Sequence, residues 1–166
     1  ASAAGKAARG ISEDNTVRPA REEDLPAIAE FWRRSVLSTN VTYEKEDTEA
    51  DLLVKLEQHF PSKWRVDVVE IGEALVGFLA LEKDEAVLAQ IFIDPGYQGR
   101  GIGLDLLRRA KSAFPDGFTL WTDARNTRAR AFYEREGLTL DRLVKHPVAS
   151  HYRAHYRWAP SNQRDH

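Results

Sequence analysis

Residues 91–103 have the sequence IFIDPGYQGRGIG and run directly into LDLLRRAK at 104–111. The apolar beginning predicts a strand that ends at Pro95, and the amphipathic end predicts a helix. The glycines between them lack the Cβ atoms that would hold an anion away from the backbone. The first turn of a helix leaves N–H groups without partners and carries partial positive charge. Together these features predict a site that binds a phosphate group.

The spacing of the glycines distinguishes this turn from two common nucleotide-binding motifs. The dinucleotide fingerprint G-x-G-x-x-G requires a third glycine where this chain has Leu104. The mononucleotide loop ends in Gly-Lys-Ser/Thr, and this triplet does not occur in the sequence. The remaining pattern is Q-x-x-G-x-G, formed by Gln98, Gly101 and Gly103. By itself this pattern is also compatible with a strand-to-helix turn whose glycines allow close packing.

A second stretch, FTLWTDARNTRARAFYEREGL at 118–138, predicts a strand, an asparagine at a helix start and a helix closed by Gly137. Taken singly, Asn126 is explained as a helix cap and Tyr133 as a core residue. Taken together and in this order, the two stretches resemble the signature of the GNAT superfamily, the acyl-CoA-dependent N-acyltransferases.

The resemblance implies acetyl-CoA as the cosubstrate, with its pyrophosphate held by the glycine turn. It implies that Asn126 lies along the pantetheine arm and that the Tyr133 hydroxyl, the general acid, points at the thioester sulfur. It also implies that main-chain N–H groups of the strand before the turn polarise the acetyl oxygen. The residues so implied to bind the cosubstrate are Ile91, Phe92, Ile93, Gln98, Gly99, Arg100, Gly101, Ile102, Gly103, Leu104 and Asn126.

The resemblance extends from Val17 to Trp158 and implies the fold as well. That fold is α/β (α+β), with a mixed, mostly antiparallel central sheet of six to seven strands. About four helices flank the sheet, which is splayed in the middle.

Hydrophobic periodicity along the chain is consistent with this fold. It predicts a strand, two helices, three strands, a helix, a strand, a helix and one or two final strands. Such an order gives a mixed sheet with helices on its faces. Within it, Thr48 begins a capping box and residues 72–73 form a hairpin turn. The predicted buried face of the third helix is Leu104, Leu107, Ala110 and Phe114.

Length and composition predict one domain, at 16–160, with a flexible tail at 1–15 and a polar tail at 161–166. The 166 residues include no cysteine, which excludes disulfides and a cysteine nucleophile. The five histidines lack the spacing of a metal site, so we expect no metal. The net charge of −2 gives no reason to expect nucleic acid or a membrane as a partner. We expect a cytoplasmic protein, a monomer or a homodimer.

The sequence leaves the general base and the acceptor open. Histone-type members of the family carry a glutamate where this chain has Val87. The alternatives are a base acting through water or an amine that arrives neutral; the candidate bases are Glu85, Glu44, Asp67 and His59. Cations that could contact the coenzyme phosphates, or simply form solvated helix faces, are Arg100, Arg108, Lys111, Arg128 and Arg130.

For the acceptor we expect a small-molecule amine such as an amino acid, a polyamine or a xenobiotic. Segment 37–47, between the first two helices, is expected to form a wall of the acceptor site, and its acidic residues point to a cationic amine. The alternative to an N-acetyltransferase is a non-catalytic acyl-CoA-binding sensor or partner domain, which would have no use for a proton donor at the sulfur.

Overall fold

The computed structural model describes residues 15–39, 41 and 47–160. The predicted tails lie outside these residues, except for Asn15, which begins the first strand. The strands are β1 Asn15–Pro19, β2 Trp64–Ile71, β3 Ala74–Glu82, β4 Val87–Ile93, β5 Phe118–Asp123, β6 Thr139–Lys145 and β7 Tyr152–Trp158. The α-helices are α1 Leu25–Leu37, α2 Glu49–His59, α3 Ile102–Ala113 and α4 Thr127–Arg135. No helix among the described residues is long and apolar enough to cross a bilayer.

One seven-stranded sheet, in the order β1-β2-β3-β4-β5-β7-β6, organises the chain. All neighbouring strands are antiparallel except β4 and β5, which are parallel. Helices α1 and α2 cover one face, through a core that includes Phe31, Leu56 and Phe78. A second core, which includes Leu107 and Tyr156, holds α3 against the sheet. The predicted mixed sheet with four helices is confirmed.

The helix boundaries follow local chemistry. The Thr48 side chain accepts a hydrogen bond from the Asp51 N–H at 3.1 Å, and the Asp51 carboxylate accepts one from the Thr48 N–H at 2.8 Å. This capping box begins α2, as predicted. After α4 the chain turns at Gly137, where φ is +93° and a side chain would be strained.

The predicted buried face of α3 is wrong in part. Leu107 and Ala110 are buried, but Leu104 and Phe114 are only partly so, while Ile102 and Leu106 are fully buried. A stripe at i, i+4, i+5 and i+8 therefore faces the core. Leu104 lies at the edge of this stripe, beside a cleft.

The centre of the sheet opens between β4 and β5. The register of β4 on β3 shifts at Ala89, which forms a bulge. A bulge bends its strand and increases its twist. Strands β4 and β5 are paired at one position, Val87 with Thr119, which lies before the bulge. The splay expected in the middle of the sheet is present, and it leaves main-chain groups of β4 without a neighbouring strand.

A buried carboxylate fixes the junction of β1 with α1. Asp24 is 8% exposed and accepts hydrogen bonds from the Arg18 guanidinium at 2.8 and 3.1 Å. It also accepts one from the Arg21 N–H at 2.7 Å. The bonds from Arg18 are the main cause of the lowered pKa of Asp24 and outweigh the opposing effect of burial.

We predict that Asp24→Asn lowers the free energy of unfolding by about 2 kcal/mol at pH 7, as expected for a charged hydrogen-bonding group. A lowered pKa stabilises the fold above the unfolded-state pKa of about 3.9 and loses this effect as the pH falls through the folded-state value. The difference in the free energy of unfolding between wild type and variant should therefore disappear in acid, as measured by urea unfolding at several pH values. Glu23→Gln, which removes an exposed charge next to it, is the control. A gap that stays constant with pH would contradict this assignment.

Candidate active site

Two clefts meet where β4 and β5 part. The larger has a volume of about 940 Å³ and lies between the end of β4, the glycine turn and α4. The smaller, of about 550 Å³, lies between α1, α2, β4, β5 and the start of β7. We call them the large cleft and the small cleft. The residues that line both are Thr39, Ile91, Phe92, Asn126, Ala129 and Tyr133.

The direction of the β4 main chain follows from its register. The Asp94 N–H donates to the Val76 carbonyl at 2.7 Å across the β3–β4 ladder. Bonded and non-bonded pairs alternate along an antiparallel ladder, so Phe92 bonds to β3 as Asp94 does. The main-chain N–H and C=O groups of Ile91 and Ile93 therefore point the other way, into the gap beside β5.

The neighbours of Ile93 are consistent with this direction. Its carbonyl accepts hydrogen bonds from the Ser35 hydroxyl at 2.8 Å and from the Gln98 side-chain amide at 3.1 Å. The bond from Gln98 holds the glycine turn against the end of β4. Within the predicted motif, Gln98 thus has a structural role: it fixes the position of the turn.

The glycine turn leaves open space in front of α3. Gly99 and Gly101 have φ values of +79° and +83°, which side chains rarely adopt. A Cβ atom added at either would meet no atom within 4 Å. Gly101 is the N-cap of α3, and no side chain caps the first N–H groups of this helix. These N–H groups, which border the large cleft, are suited to bind an anion.

Asn126 lies at the N-terminus of α4, opposite the glycine turn. Its Oδ1 accepts a hydrogen bond from the Ala129 N–H at 3.1 Å, so the residue caps α4. It also lines both clefts. The structural and the functional explanation of this residue are therefore compatible.

The structure brings the predicted site residues together, with one exception. All of them line the large cleft except Arg100. The Arg100 guanidinium lies over the Tyr97 ring at 4.9 Å instead.

Of the other predicted cations, Arg128 alone lines the large cleft. Lys111 donates to the Glu136 carbonyl at 2.9 Å, and Arg130 donates to the Tyr156 hydroxyl at 3.0 Å. Sequence reasoning missed Arg125 and Arg135, which also line this cleft.

Tyr133 lies where the two clefts join. It is 7% exposed, and its ring packs against Phe132 and Tyr156. Among the described residues, its hydroxyl has no hydrogen-bonding partner. Burial, and to a smaller extent the neighbouring Tyr156, raises the pKa of Tyr133 well above the ordinary value of 10. The phenol therefore stays protonated at neutral pH and can donate a hydrogen bond into either cleft.

The small cleft carries charged groups that sequence reasoning did not assign to a site. Asp123 is 6% exposed and accepts bonds from Arg125 at 2.8 and 3.0 Å. Burial alone would raise the pKa of Asp123, but the bonds from Arg125 outweigh it and the net shift is downward. The His151 Nε2 lies 3.5 Å from the same carboxylate. The only signal in the sequence was the alternation of His151, Arg153, His155 and Arg157.

None of the described base candidates lines either cleft. Asp67 is buried in β2 beside Arg109, and His59 stacks on Trp64. Glu85 lies in the turn before β4, and Glu44 lies outside the described residues. Of the segment expected to wall the acceptor, Thr39 and Asp47 line the small cleft, while residues 40 and 42–46 are outside the description. Among the described residues, no group of His, Asp or Glu side chains could hold a metal ion.

The large cleft fits a coenzyme A thioester in its chemistry. A diphosphate needs unpaired N–H groups and room near the backbone, and the turn at 99–101 with the start of α3 offers both. The amides of an extended arm need main-chain partners, and Ile91 and Ile93 present such groups along the gap.

Comparison with known proteins identifies the family of this chain. Residues 25–138 match the model of the Acetyltransferase (GNAT) family. The chain is 30% identical over 121 residues to the peptidyl-lysine N-acetyltransferase YjaB of Salmonella typhimurium, covering 73% of this chain and 81% of that one.

Two solved structures have the same fold. Apo YjaB from Escherichia coli superposes with a TM-score of 0.71 at 22% identity, over 87% of this chain and 97% of the other. The protein yncA from Salmonella typhimurium, solved with its cofactor acetyl-CoA, gives 0.66 at 17% identity, over 88% and 94%. The matched family range contains both motif stretches and Tyr133. The chain belongs to the GNAT acetyltransferase family and is an acetyl-CoA-dependent N-acyltransferase.

Proposed function

We propose that this enzyme transfers an acetyl group directly from acetyl-CoA in the large cleft to an amine in the small cleft. The observation that carries this proposal is the position of Tyr133, which lines both clefts at the gap between β4 and β5. A ternary complex needs two binding spaces that share one reacting centre. Tyr133 and the Ile91 main chain border such a centre.

Acetyl-CoA supplies the activated acetyl group when it is bound. The main-chain N–H groups of Ile91 and Ile93 hold the donor in place and polarise its carbonyl. Such fixed donors stabilise a developing oxyanion by about 3–4 kcal/mol where this has been measured. Because the donors belong to the backbone, side-chain substitutions at these positions should change the shape of the cleft more than the polarisation.

Tyr133 acts on the leaving group. The C–S bond breaks as the C–N bond forms, and the electron pair remains on sulfur. The Tyr133 hydroxyl donates a hydrogen bond to that sulfur. Since the raised pKa of Tyr133 exceeds the value of about 8.5 for a thiol, the phenol stabilises the thiolate mainly by hydrogen bonding.

His151 takes the proton that the amine loses. His151 lines the small cleft, and so does the Asp123 carboxylate beside it. The Asp123 carboxylate lies 3.5 Å from the His151 Nε2. A histidine placed beside a buried carboxylate is a common arrangement for a general base.

The acceptor is an amine on a small molecule. A cleft of about 550 Å³ is in the usual range for small-ligand sites. The name of the YjaB relative gives peptidyl-lysine as its acceptor, which makes a protein amine the alternative. Thiol release from acetyl-CoA, screened against free amines and lysine peptides, separates the two. If none of these amines supports thiol release, the proposed transfer is contradicted.

We predict that Tyr133→Phe lowers turnover at least ten-fold, as expected when a hydrogen-bond donor to the developing charge of the leaving group is lost. Binding of acetyl-CoA should change little, because the ring contacts with Phe132 and Tyr156 are kept. Steady-state kinetics and titration calorimetry measure the two quantities. Tyr152→Phe makes the same chemical change at an exposed site outside both clefts and is the control. Equal turnover of Tyr133→Phe and wild type would remove Tyr133 from the mechanism.

We predict that Gly101→Val weakens acetyl-CoA binding at least ten-fold, about 1.4 kcal/mol, in calorimetry. The new side chain would occupy the space in front of the first N–H groups of α3. Gly72→Val is the matched control, since Gly72 also has positive φ and open space around it but lies in the β2–β3 turn. Both variants should lose thermal stability, and only the first should lose affinity. Unchanged affinity of Gly101→Val would place the diphosphate elsewhere.

We predict that His151→Gln lowers kcat/KM about a hundred-fold near pH 7, the usual size of general base assistance. The loss should shrink as the pH rises towards the pKa of the amine, because more of the acceptor is then neutral without help. A pH profile of kcat/KM for wild type and variant measures this. His155→Gln, on the same face of β7 but outside both clefts, is the control. If kcat/KM falls by the same factor at every pH, His151 has only a structural role.

A further inference from the structure

One cation in the small cleft has no counterion among the described residues. The Arg153 guanidinium lies 3.9 Å from the centroid of the Trp121 ring, and both residues line the cleft. The Arg153 Nε is buried and has no hydrogen-bonding partner in the described part of the chain. A buried guanidinium N–H without a partner is costly.

The carboxylate opposite Arg153 in the sheet does not neutralise it. Asp123 faces Arg153 in the β5–β7 register. Its two oxygens accept bonds from Arg125 at 3.0 and 2.8 Å, and His151 lies 3.5 Å from one of them. It forms no ion pair with Arg153, although paired strand positions bring the two backbones close.

The remaining charges of the cleft balance each other. Asp47 pairs with Lys55 at 3.3 Å, on the α2 side. Arg125, which lines the large cleft, holds Asp123, so among the described charged groups of the small cleft the Arg153 guanidinium remains without a counterion. This charge lies close to the proposed base, because His151 directly precedes β7 and Arg153 is the second residue of that strand.

Stacking on Trp121 prepares Arg153 for binding. A guanidinium that lies over an aromatic ring keeps its edge, with the N–H donors, available in the plane of the group. This edge matches the two oxygens of a carboxylate in a bidentate arrangement. The stack also fixes the side chain, so less conformational entropy is lost when an anion binds.

We propose that the acceptor is an amine that also carries a carboxylate, a free amino acid, and that Arg153 binds the carboxylate. This inference rests on the proposed function and specifies its acceptor. The amine is directed to the gap near Tyr133 and His151, and the carboxylate is held at the β7 side of the small cleft. Arg153 is in this role a residue that determines specificity.

The test uses matched acceptors with and without the carboxylate. Linear ω-amino acids are compared with alkylamines of the same chain length, and α-amino acids with their amides, by thiol release from acetyl-CoA. We expect the carboxylated member of at least one pair to have a kcat/KM at least about ten-fold higher, the size of a charged hydrogen bond. Alkylamines or lysine peptides used equally well would overturn the inference.

Substitutions assign the effect to Arg153. Arg153→Gln should raise KM for the carboxylated acceptor at least about ten-fold, as for a lost charge-assisted bond, with a smaller change in kcat. KM for the matching alkylamine should not rise. Arg153→Lys should restore part of the affinity, because it keeps the charge without the fork. Arg157→Gln, an exposed arginine on the same face of β7 and outside both clefts, is the control.

Failure of this inference and failure of the proposed function give different results. Absence of acetyl-CoA binding in calorimetry, or of transfer to every amine, contradicts the proposed function. Transfer that persists without preference for a carboxylate contradicts only the role of Arg153. If Arg153→Gln lowers kcat/KM equally for both members of each acceptor pair and also lowers the melting temperature, Arg153 has a structural role. That result would overturn the inference as well.

Discussion

The parting of β4 from β5 after a single pair is the constraint on which the site depends. A strand edge inside a protein is unfavourable unless its N–H and C=O groups find partners. The protein meets part of this need itself, since Ser35 and Gln98 both donate to the Ile93 carbonyl. In the proposed complex, the main-chain groups of Ile91 find their partners in the cosubstrate. The bulge at Ala89, where the register of β4 on β3 shifts, thus leaves an interrupted ladder open to a ligand.

Features that depend on residues close together in the sequence could be predicted from it. The glycine turn, the Thr48 capping box and the order of strands and helices along the chain followed from local chemistry and periodicity. Leu104 was misplaced because a helical stripe of three or four residues per turn fixes a face only to within about one position. The small cleft was not predicted, because it forms from residues far apart in sequence, such as Trp32 and Trp121, that only the folded sheet brings together.

Asp123 connects the two clefts. It is bonded to Arg125, which lines the large cleft, and lies beside His151, which lines the small one. Its lowered pKa keeps it ionised near neutral pH, so this contact does not depend on small pH changes. Because one carboxylate serves both groups, its replacement would disturb the proposed cosubstrate and acceptor sites together. For this reason substitutions of His151 and Arg153 separate the functions of the small cleft better than substitutions of Asp123.

The two proposed binding clefts expose different parts of the chain. The large cleft presents main-chain groups of β4, the glycine turn and α3, whose positions depend on backbone conformation more than on side-chain identity. The small cleft presents side chains, including Trp121, His151 and Arg153. Similarity of fold therefore supports a common cosubstrate. It does not identify the acceptor, since proteins with the same backbone can line that cleft differently. The acceptor must be inferred from the charges of this chain, and the Arg153 guanidinium, which has no counterion among the described residues, favours an amine that brings its own carboxylate.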